Sequence, residues 1–463
     1  MFNIKVESIE QLSMSKVIKI KRGLDINLLG AAEKIIKKAD FAEYYAVKPT
    51  DFKGIRPKLV VKTGDKVKAG SPLFFDKYHP EVQFTSPVSG EITAINRGDR
   101  RVIEEVVIRS DTKIEYEKFS VENSKTLTRD EIISILLKSG LWPVIRQRPY
   151  STIANPKDNP KSIFISAFDT TPLAPDMDFI VKEEATLFQK GIDILSRLTT
   201  GKIHLNLNAD YPPAEAYTRA KGVQINYFTG PHPAGNVGVQ INKIDPINKG
   251  DIIWYTYPQE IIAIGRLFEK GIYDVSKIIA LTGSEVLHPV YLKIINGACI
   301  KSLLKNNIKA GENRFISGNV LTGTKILNQG FIGFYDNQVT IIPEGKYHEF
   351  FGWALPGIKK FSASRTFISW LMPHKKFKLD TNMHGGHRAF VMTNDYDKVF
   401  PMDIYPVHLI KAIMAEDIEL MEKLGIYEVD EEDFALCEFV CTSKIDVQSI
   451  IRKGLDLARA EMS

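Results

Sequence analysis

With 463 residues, the chain is too long for one hydrophobic core, and its 44% apolar and 25% charged residues are ordinary for a globular protein of three or four domains. Its 61 basic and 56 acidic residues leave a formal charge of +5, which points away from nucleic acid. Three cysteines exclude a disulfide framework, and no run of about 18 apolar residues is present to span a bilayer. The opening Met1-Phe2-Asn3-Ile4-Lys5-Val6-Glu7 lacks the pattern of a secretory signal, so a cytosolic protein, or one bound to the cytosolic face of a membrane, is expected.

Residues 20–110 predict short strands broken by turns. Lys58-Leu-Val-Val-Lys62 precedes the Gly64-Asp65 turn, Leu73-Phe-Phe75 follows Gly70-Ser71-Pro72, and Phe84-Thr-Ser-Pro-Val-Ser-Gly90 leads into Glu91-Ile-Thr-Ala-Ile95. Turns so closely spaced between β-branched runs indicate a small barrel or sandwich. The phrase from Val61 to Lys77 resembles a biotinyl/lipoyl carrier hammerhead, in which Lys77 matches the lysine that would carry the group. Tyr78-His79-Pro80 and a longer run to Ser86-Pro87 than carriers have argue for a barrel used as scaffold.

Thr128-x-x-Glu131 is a capping box ahead of an apolar helix that Gly140 stops. Strands are expected at 162–166, 203–207 and 223–228, with a helix over 179–198, and such alternation argues for a parallel, Rossmann-like sheet. Its first strand is followed by Ala167-Phe-Asp-Thr-Thr-Pro-Leu-Ala-Pro-Asp176, with no glycine until Gly191. A pyrophosphate cradle needs glycines at that turn, and Asp169, Asp176 and Asp178 would repel phosphate, so the usual nucleotide loop is absent. A helix over 259–270, strands near 277–281, 286–294 and 339–342 and a short amphipathic stretch at Ile300 and Leu303 suggest a β-grasp-type module. Helices over 405–424 and 445–461 close the chain.

The expected fold is thus multidomain α+β: residues 1–115 a biotinyl/lipoyl-like β-barrel, 116–257 a Rossmann-like α/β domain without a nucleotide loop, 258–345 a β-grasp-type, SLBB-like module, and 346–463 a C-terminal loop and helical domain.

Three constellations carry possible chemistry. In Asn382-Met-His-Gly-Gly-His-Arg388, His384 and His387 have a metal-ligand spacing, but Gly385-Gly386 opposes a helix and no acid or cysteine completes a set. A shaped loop presenting His384, His387 and Arg388 to an anion, a quinone head or a neighbouring protein is the favoured reading. Cys437 and Cys441 hold one spacing of an iron–sulfur motif, yet Thr442 replaces its proline and Cys299 is distant, so these cysteines read as structural or vestigial. In Gly230-Pro-His-Pro-Ala-Gly235, two prolines fix the turn around His232 and exclude a helix until about Asn236. His232 either polarises a carbonyl or ties the turn. The run Lys375-Lys376-Phe377-Lys378 is an ordinary solvated loop or a face for an acidic partner or lipid headgroups.

Five stretches in order, Lys21-Arg-Gly-Leu-Asp25, Ser86-Pro-Val-Ser-Gly90, Gly230 to Gly235, Asn382 to Phe390 and Cys437-Glu-Phe-Val-Cys441, resemble the A-type subunits of the Na+-translocating NADH:quinone oxidoreductase (Na+-NQR). The likeness runs over nearly the whole chain. That family is related to the C-type subunits of the Rnf complex and to the flavin-carrying subunit of respiratory complex I, whose glycines and cysteines this chain lacks. The resemblance implies a peripheral subunit on the cytoplasmic face of the bacterial inner membrane, in a six-subunit complex coupling NADH oxidation and quinone reduction to Na+ export. It implies docking on the membrane-embedded B-type subunit and contact with quinone as substrate. Flavins, iron–sulfur centres and NADH would lie on other subunits, with no cofactor held tightly here and no catalysis by the isolated chain. His232, His384, His387 and Arg388 are then the candidate quinone or partner contacts, and the aromatic residues near Phe350-Phe-Gly-Trp353 could host an isoprenoid tail. Rival readings are a purely structural docking subunit, a lipoyl-type carrier using Lys77, and a metal site at the histidines.

Overall fold

The computed structural model describes residues 17–121, 126–347, 349 and 356–462. Phe350-Phe-Gly-Trp353 and the Met1–Glu7 start lie outside the described residues.

The turn-rich N-terminal region folds as two small antiparallel sheets. Tyr44–Val47, Ile103–Ser110, Gly90–Arg97 and Lys66–Val67 form one, in that order, and Pro57–Leu59, Pro72–Asp76 and Gln83–Thr85 the other. Leu73, Phe74, Phe84, Val88, Ile92, Val106 and Ile108 fill the space between them, with Phe74 and Phe84 stacked at 4.6 Å. Each such side chain contributes about 1.5–3 kcal/mol by leaving water. Two strands before Tyr44 belong elsewhere. Val17–Lys19 lies parallel to Gln224–Thr229, and Glu33–Lys38 lies parallel to Val290–Ile295 in a different sheet. Glu33–Lys38 is exposed along its whole length, so no alternation in its sequence announces a strand.

The second region holds a seven-stranded sheet in the order Val17–Lys19, Gln224–Thr229, Lys202–Asn208, Ser162–Ser166, Ile253–Thr256, Arg146–Arg148, Thr152–Ile153. The first five are parallel and the last two antiparallel. Ile163 and Ile165 pack on one face with helices Ala185–Leu195 and Pro258–Lys270; Phe164 packs on the other with Val237–Ile244 and the C-terminal helices. Helices on both faces explain why Ser162–Ser166 is buried at every position. The capping box forms as its sequence predicts: Thr128 N–H donates to Glu131 Oε2 at 2.7 Å, and Gly140 ends the helix at φ +77°. The helix expected over 179–198 is two, Met177–Val181 and Ala185–Leu195, divided at Lys182-Glu183-Glu184. The redirected second helix meets Pro258–Lys270 backbone to backbone. A Cβ at Gly191 would lie 2.2 Å from the Ile261 carbonyl oxygen, and one at Gly265 would lie 2.1 Å from that of Leu187. Pro258–Lys270, which the sequence places at the head of the third module, therefore packs within the α/β layers.

The third sheet runs Thr324–Ile326, Asn313–Ser317, Gln338–Pro343, Ser276–Thr282, Val290–Ile295, Glu33–Lys38, with mixed directions and the short helix Ile300–Leu303. Ile279, Leu281, Leu292, Ile294, Ile300, Val339 and Ile341 are its core. Beyond it, Pro406–Met414, Ile418–Lys423, Ala435–Val440 and Val447–Met462 cover one face of the parallel sheet. The single helix expected over 405–424 breaks at Glu416, whose φ is +55°, and restarts with Asp417 accepting from Leu420 N–H at 3.0 Å. Met414, just ahead of the break, is exposed.

Candidate functional site

The family-marking stretches meet in pairs. Lys21–Asp25 lies against the Gly230–Gly235 turn: Ile20 N–H donates to Thr229 O at 2.8 Å, Leu24 N–H to His232 O at 2.9 Å, and His232 N–H to Asp25 Oδ1 at 2.9 Å. The contact is so close that a Cβ at Gly23 (φ +151°) would lie 2.1 Å from the His232 oxygen. His232 is 2% exposed, with Nδ1 3.1 Å from Thr170 Oγ1 and Nε2 without a hydrogen-bond partner among the described residues. Burial pushes its pKa down to about 4, so the imidazole is neutral at physiological pH. Thr170 also accepts from Gly235 N–H at 2.9 Å, and the next helix starts at Val237 with Asn236 as its cap, where the two prolines allow it. His232 thus sits in a tied turn at the carboxyl ends of the parallel strands, with Nε2 buried and without a hydrogen-bond partner among the described residues.

The second pair joins Asn382–Phe390 to the segment after Cys441. Arg388 N–H donates to Ser443 O at 2.9 Å, and Ser443 Oγ donates to Ala389 O at 2.9 Å. The Gly385-Gly386 stretch is a loop, with His384 at φ +46°. His384, His387 and Arg388 are exposed. His384 Nε2 lies 4.0 Å from Asp380 Oδ1, a carboxylate already accepting from Asn382 N–H at 2.9 Å and Tyr347 Oη at 2.7 Å. No hydrogen bond or ion pair among the described residues links this loop to His232. The structure thus brings three of the four candidate contacts onto one anchored loop and leaves the fourth buried elsewhere.

Cys437 and Cys441 are buried, in and just after Ala435–Val440 and ahead of the Ser443 that anchors the loop. Burial pushes the Cys437 thiol well above its usual range, with Asp397 adding to the shift, the opposite of what a thiolate ligand needs. Among the described residues no three His, Cys, Asp or Glu side chains gather to hold a metal. Lys77 is exposed at the end of Pro72–Asp76, its backbone N–H held by Arg56 O at 2.8 Å. Asp76 Oδ1 accepts from both Arg56 and Tyr78 N–H, so side-chain bonds fix the turn on either side of that lysine.

One polar cluster escaped the sequence reading. Arg148, fully buried at the end of the strand Arg146–Arg148, donates from Nη2 to Glu432 at 2.9 Å and lies 3.7 Å from Asp430 and 3.5 Å from Asp433. Lys53, from the N-terminal region, pairs with Glu431 at 2.6 Å, and Arg452, from the last helix, lies 3.4 Å from the same residue. Beside them the Arg146 guanidinium sits 4.3 Å from the Tyr335 ring and 4.7 Å from the Tyr255 ring, bringing in the third sheet's region. Four consecutive acids thus meet Lys53, Arg148 and Arg452, with the Arg146 charge also acting on Glu432, where the N-terminal, α/β and C-terminal regions come together. Burial raises the carboxyls of Glu431, Glu432 and Asp433, and lifts Asp433 to about 7 against the pull of Arg148. Asp430 is held below the usual range because Lys53, Arg148 and Arg452 outweigh its burial. The signal in the sequence was Asp430-Glu-Glu-Asp433, an acid run without neighbouring bases, directly ahead of the apolar Phe434-Ala-Leu-Cys437.

Comparison with known proteins covers most of this architecture. Family models match residues 18–111, described as the NqrA N-terminal barrel-sandwich hybrid domain, residues 127–273, the NqrA second alpha/beta domain, and residues 278–328, the NQRA C-terminal domain. The A-type subunit of Na(+)-translocating NADH-quinone reductase from Yersinia pestis bv. Antiqua (strain Angola) is 41% identical over 441 residues, 94% of this chain and 98% of that protein. Its counterpart in Pasteurella multocida (strain Pm70) is 39% identical over 451 residues, 96% and 100% of the two chains. Among solved structures, an NAD+-reducing [NiFe]-hydrogenase in the air-oxidized state aligns over 72% of this chain and 61% of its own, with 11% identity and a TM-score of 0.38, a likeness too slight to argue from.

Proposed function

The chain belongs to the NqrA family, the A-type subunits of Na(+)-translocating NADH-quinone reductase, and on that premise we propose that it is a peripheral subunit of such a complex that docks on a membrane partner and helps admit or position quinone. The observation carrying this reading is the Asn382–Phe390 loop. Its backbone is fixed to Ser443, while His384, His387 and Arg388 point out without side-chain hydrogen bonds to the rest of the described chain. An imidazole N–H and a guanidinium are donors suited to a quinone carbonyl oxygen or a partner's carboxylate. A fixed loop presents them with little ordering cost. No helix among the described residues is long and apolar enough to cross a membrane, which fits attachment through partners. On this reading NADH oxidation and flavin and iron–sulfur chemistry belong to other subunits, Na+ export is a property of the assembly, and the chain lies on the cytoplasmic face.

The test is the triple variant His384→Ala/His387→Ala/Arg388→Ala in the assembled complex, with quinone KM and retention of the chain on washed membranes measured together. A raised quinone KM supports a quinone contact, and lost retention supports a docking contact. Unchanged values of both overturn the proposal.

A further inference from the structure

The segment 356–392 combines two properties. It carries five lysines and two arginines against the single acid Asp380, a charge of +6 where the whole chain is +5, so all remaining residues together sum to −1. It also exposes a run of large apolar side chains, Ile368, Trp370, Leu371 and Met372, with Trp370 51% and Leu371 60% exposed. These tips stand on an ordered base. Ser369, in the middle of the run, is buried and donates to Lys360 O; Ile368 N–H donates to Pro356 O at 3.0 Å, and Met372 N–H to Ser369 O at 3.0 Å. Phe377 N–H donates to Asn27 O at 2.7 Å, which ties the basic stretch to the body of the fold. Lys359 and Lys376, on either side of the apolar turn, are exposed and have no ion-pair partner among the described residues, and Arg365 lies 5.7 Å over the Trp370 ring.

We propose that this turn is a lipid-contact site: Ile368, Trp370, Leu371 and Met372 enter the interfacial region of an anionic phospholipid bilayer while Lys359, Arg365 and Lys376 engage its headgroup phosphates; of the other lysines, Lys360 and Lys378 pair with Glu349 and Glu285 and Lys375 bonds to Ile358 O. The pairing of an apolar tip that includes tryptophan with cations on both sides is the chemistry of a bilayer interface. An acidic protein surface would use the cations but leave four apolar side chains without a counterpart. The proposal rests on reading the chain as a peripheral subunit, and adds that it touches the bilayer as well as its protein partners.

The full-length chain, without other subunits, is sedimented with vesicles of phosphatidylcholine alone or with a third of the lipid replaced by phosphatidylglycerol, at low and high salt. Binding is expected only to the phosphatidylglycerol vesicles and is expected to weaken with salt. Trp370→Ser/Leu371→Ser, and separately Lys359→Glu/Lys376→Glu, each reduce the partition coefficient about tenfold or more, with thermal unfolding unchanged because all four side chains are exposed. Brominated acyl chains quench Trp370 fluorescence, and Trp370→Phe removes the quenched component. Absence of vesicle binding, equal binding to both compositions, or variants that bind like the parent overturn the proposal. Retention on detergent-solubilised membrane subunits without vesicle binding would assign the patch to a protein partner, overturning the lipid site while leaving the peripheral-subunit reading intact.

Discussion

Replacing Asp433 with asparagine probes the buried charge junction in a way that its energetics make quantitative. Among the four acids there, Asp433, 2% exposed, is the one whose carboxyl burial lifts to about 7. In the unfolded chain the same group titrates near 3.9. Between these values the folded protein binds the proton more tightly than the unfolded one, so Asp433 makes stability fall as pH rises from about 4 to about 7, with no further change above that window. At ~1.4 kcal/mol per unit, the loss between pH 5 and pH 8 is about 2–3 kcal/mol. Asparagine has the same shape, can present a donor as the protonated acid does, and does not titrate. The stability of Asp433→Asn minus that of the parent should therefore increase by about 2–3 kcal/mol from pH 5 to pH 8. Urea denaturation followed by tryptophan fluorescence reads this, because Trp142 and Trp254, whose rings meet edge-on at 5.5 Å, are buried next to the strand that bears Arg148. A difference between the two proteins that does not change over this range would refute the raised carboxyl at Asp433.

Two further outcomes follow from the same structure. Gly23→Ala forces a Cβ into the His232 carbonyl at a backbone angle that disfavours side chains, so a loss of several kcal/mol is expected, on the order of that for other strained or overpacked sites, and limited proteolysis should then cut near residue 23. Thiol titration of the native chain should modify Cys299, which is half-buried, and spare Cys437 and Cys441 until denaturant is added; prompt labelling of all three would contradict the burial described.

What the sequence reveals is what neighbouring residues decide among themselves. Thr128 and Glu131 cap a helix by bonds three residues apart, and Pro231 and Pro233 delay the next helix to Val237, so both features are legible without the fold. The breaks at Lys182–Glu184 and Glu416 are not, because helical propensity persists through them and only packing against distant elements redirects the chain. Val17–Lys19 is too short to show a period, and its partner Gln224–Thr229 is remote in sequence. Only half of the junction is legible: the acid run Asp430–Asp433 shows in the sequence, but Lys53, Arg148 and Arg452 come to it from remote segments. The Asn382–Phe390 and Cys437–Cys441 stretches each mark the family in sequence, but only the fold reveals that the first is bonded to Ser443, two residues past the second.

The pairing of the first strands with late ones has a consequence for how the chain is made. On the ribosome, Val17–Lys19 and Glu33–Lys38 emerge long before Gln224–Thr229 and Val290–Ile295, their partners. At bacterial elongation rates of about 5–20 residues per second, each waits roughly 10–50 s with its backbone donors and acceptors open. An edge left open so long invites another nascent chain to pair with it. Glu33-Lys-Ile-Ile-Lys-Lys38 has three lysines and a glutamate in six positions, and like-charged copies of it repel. The composition that hid this strand from sequence analysis is what lets it stay unpaired through synthesis.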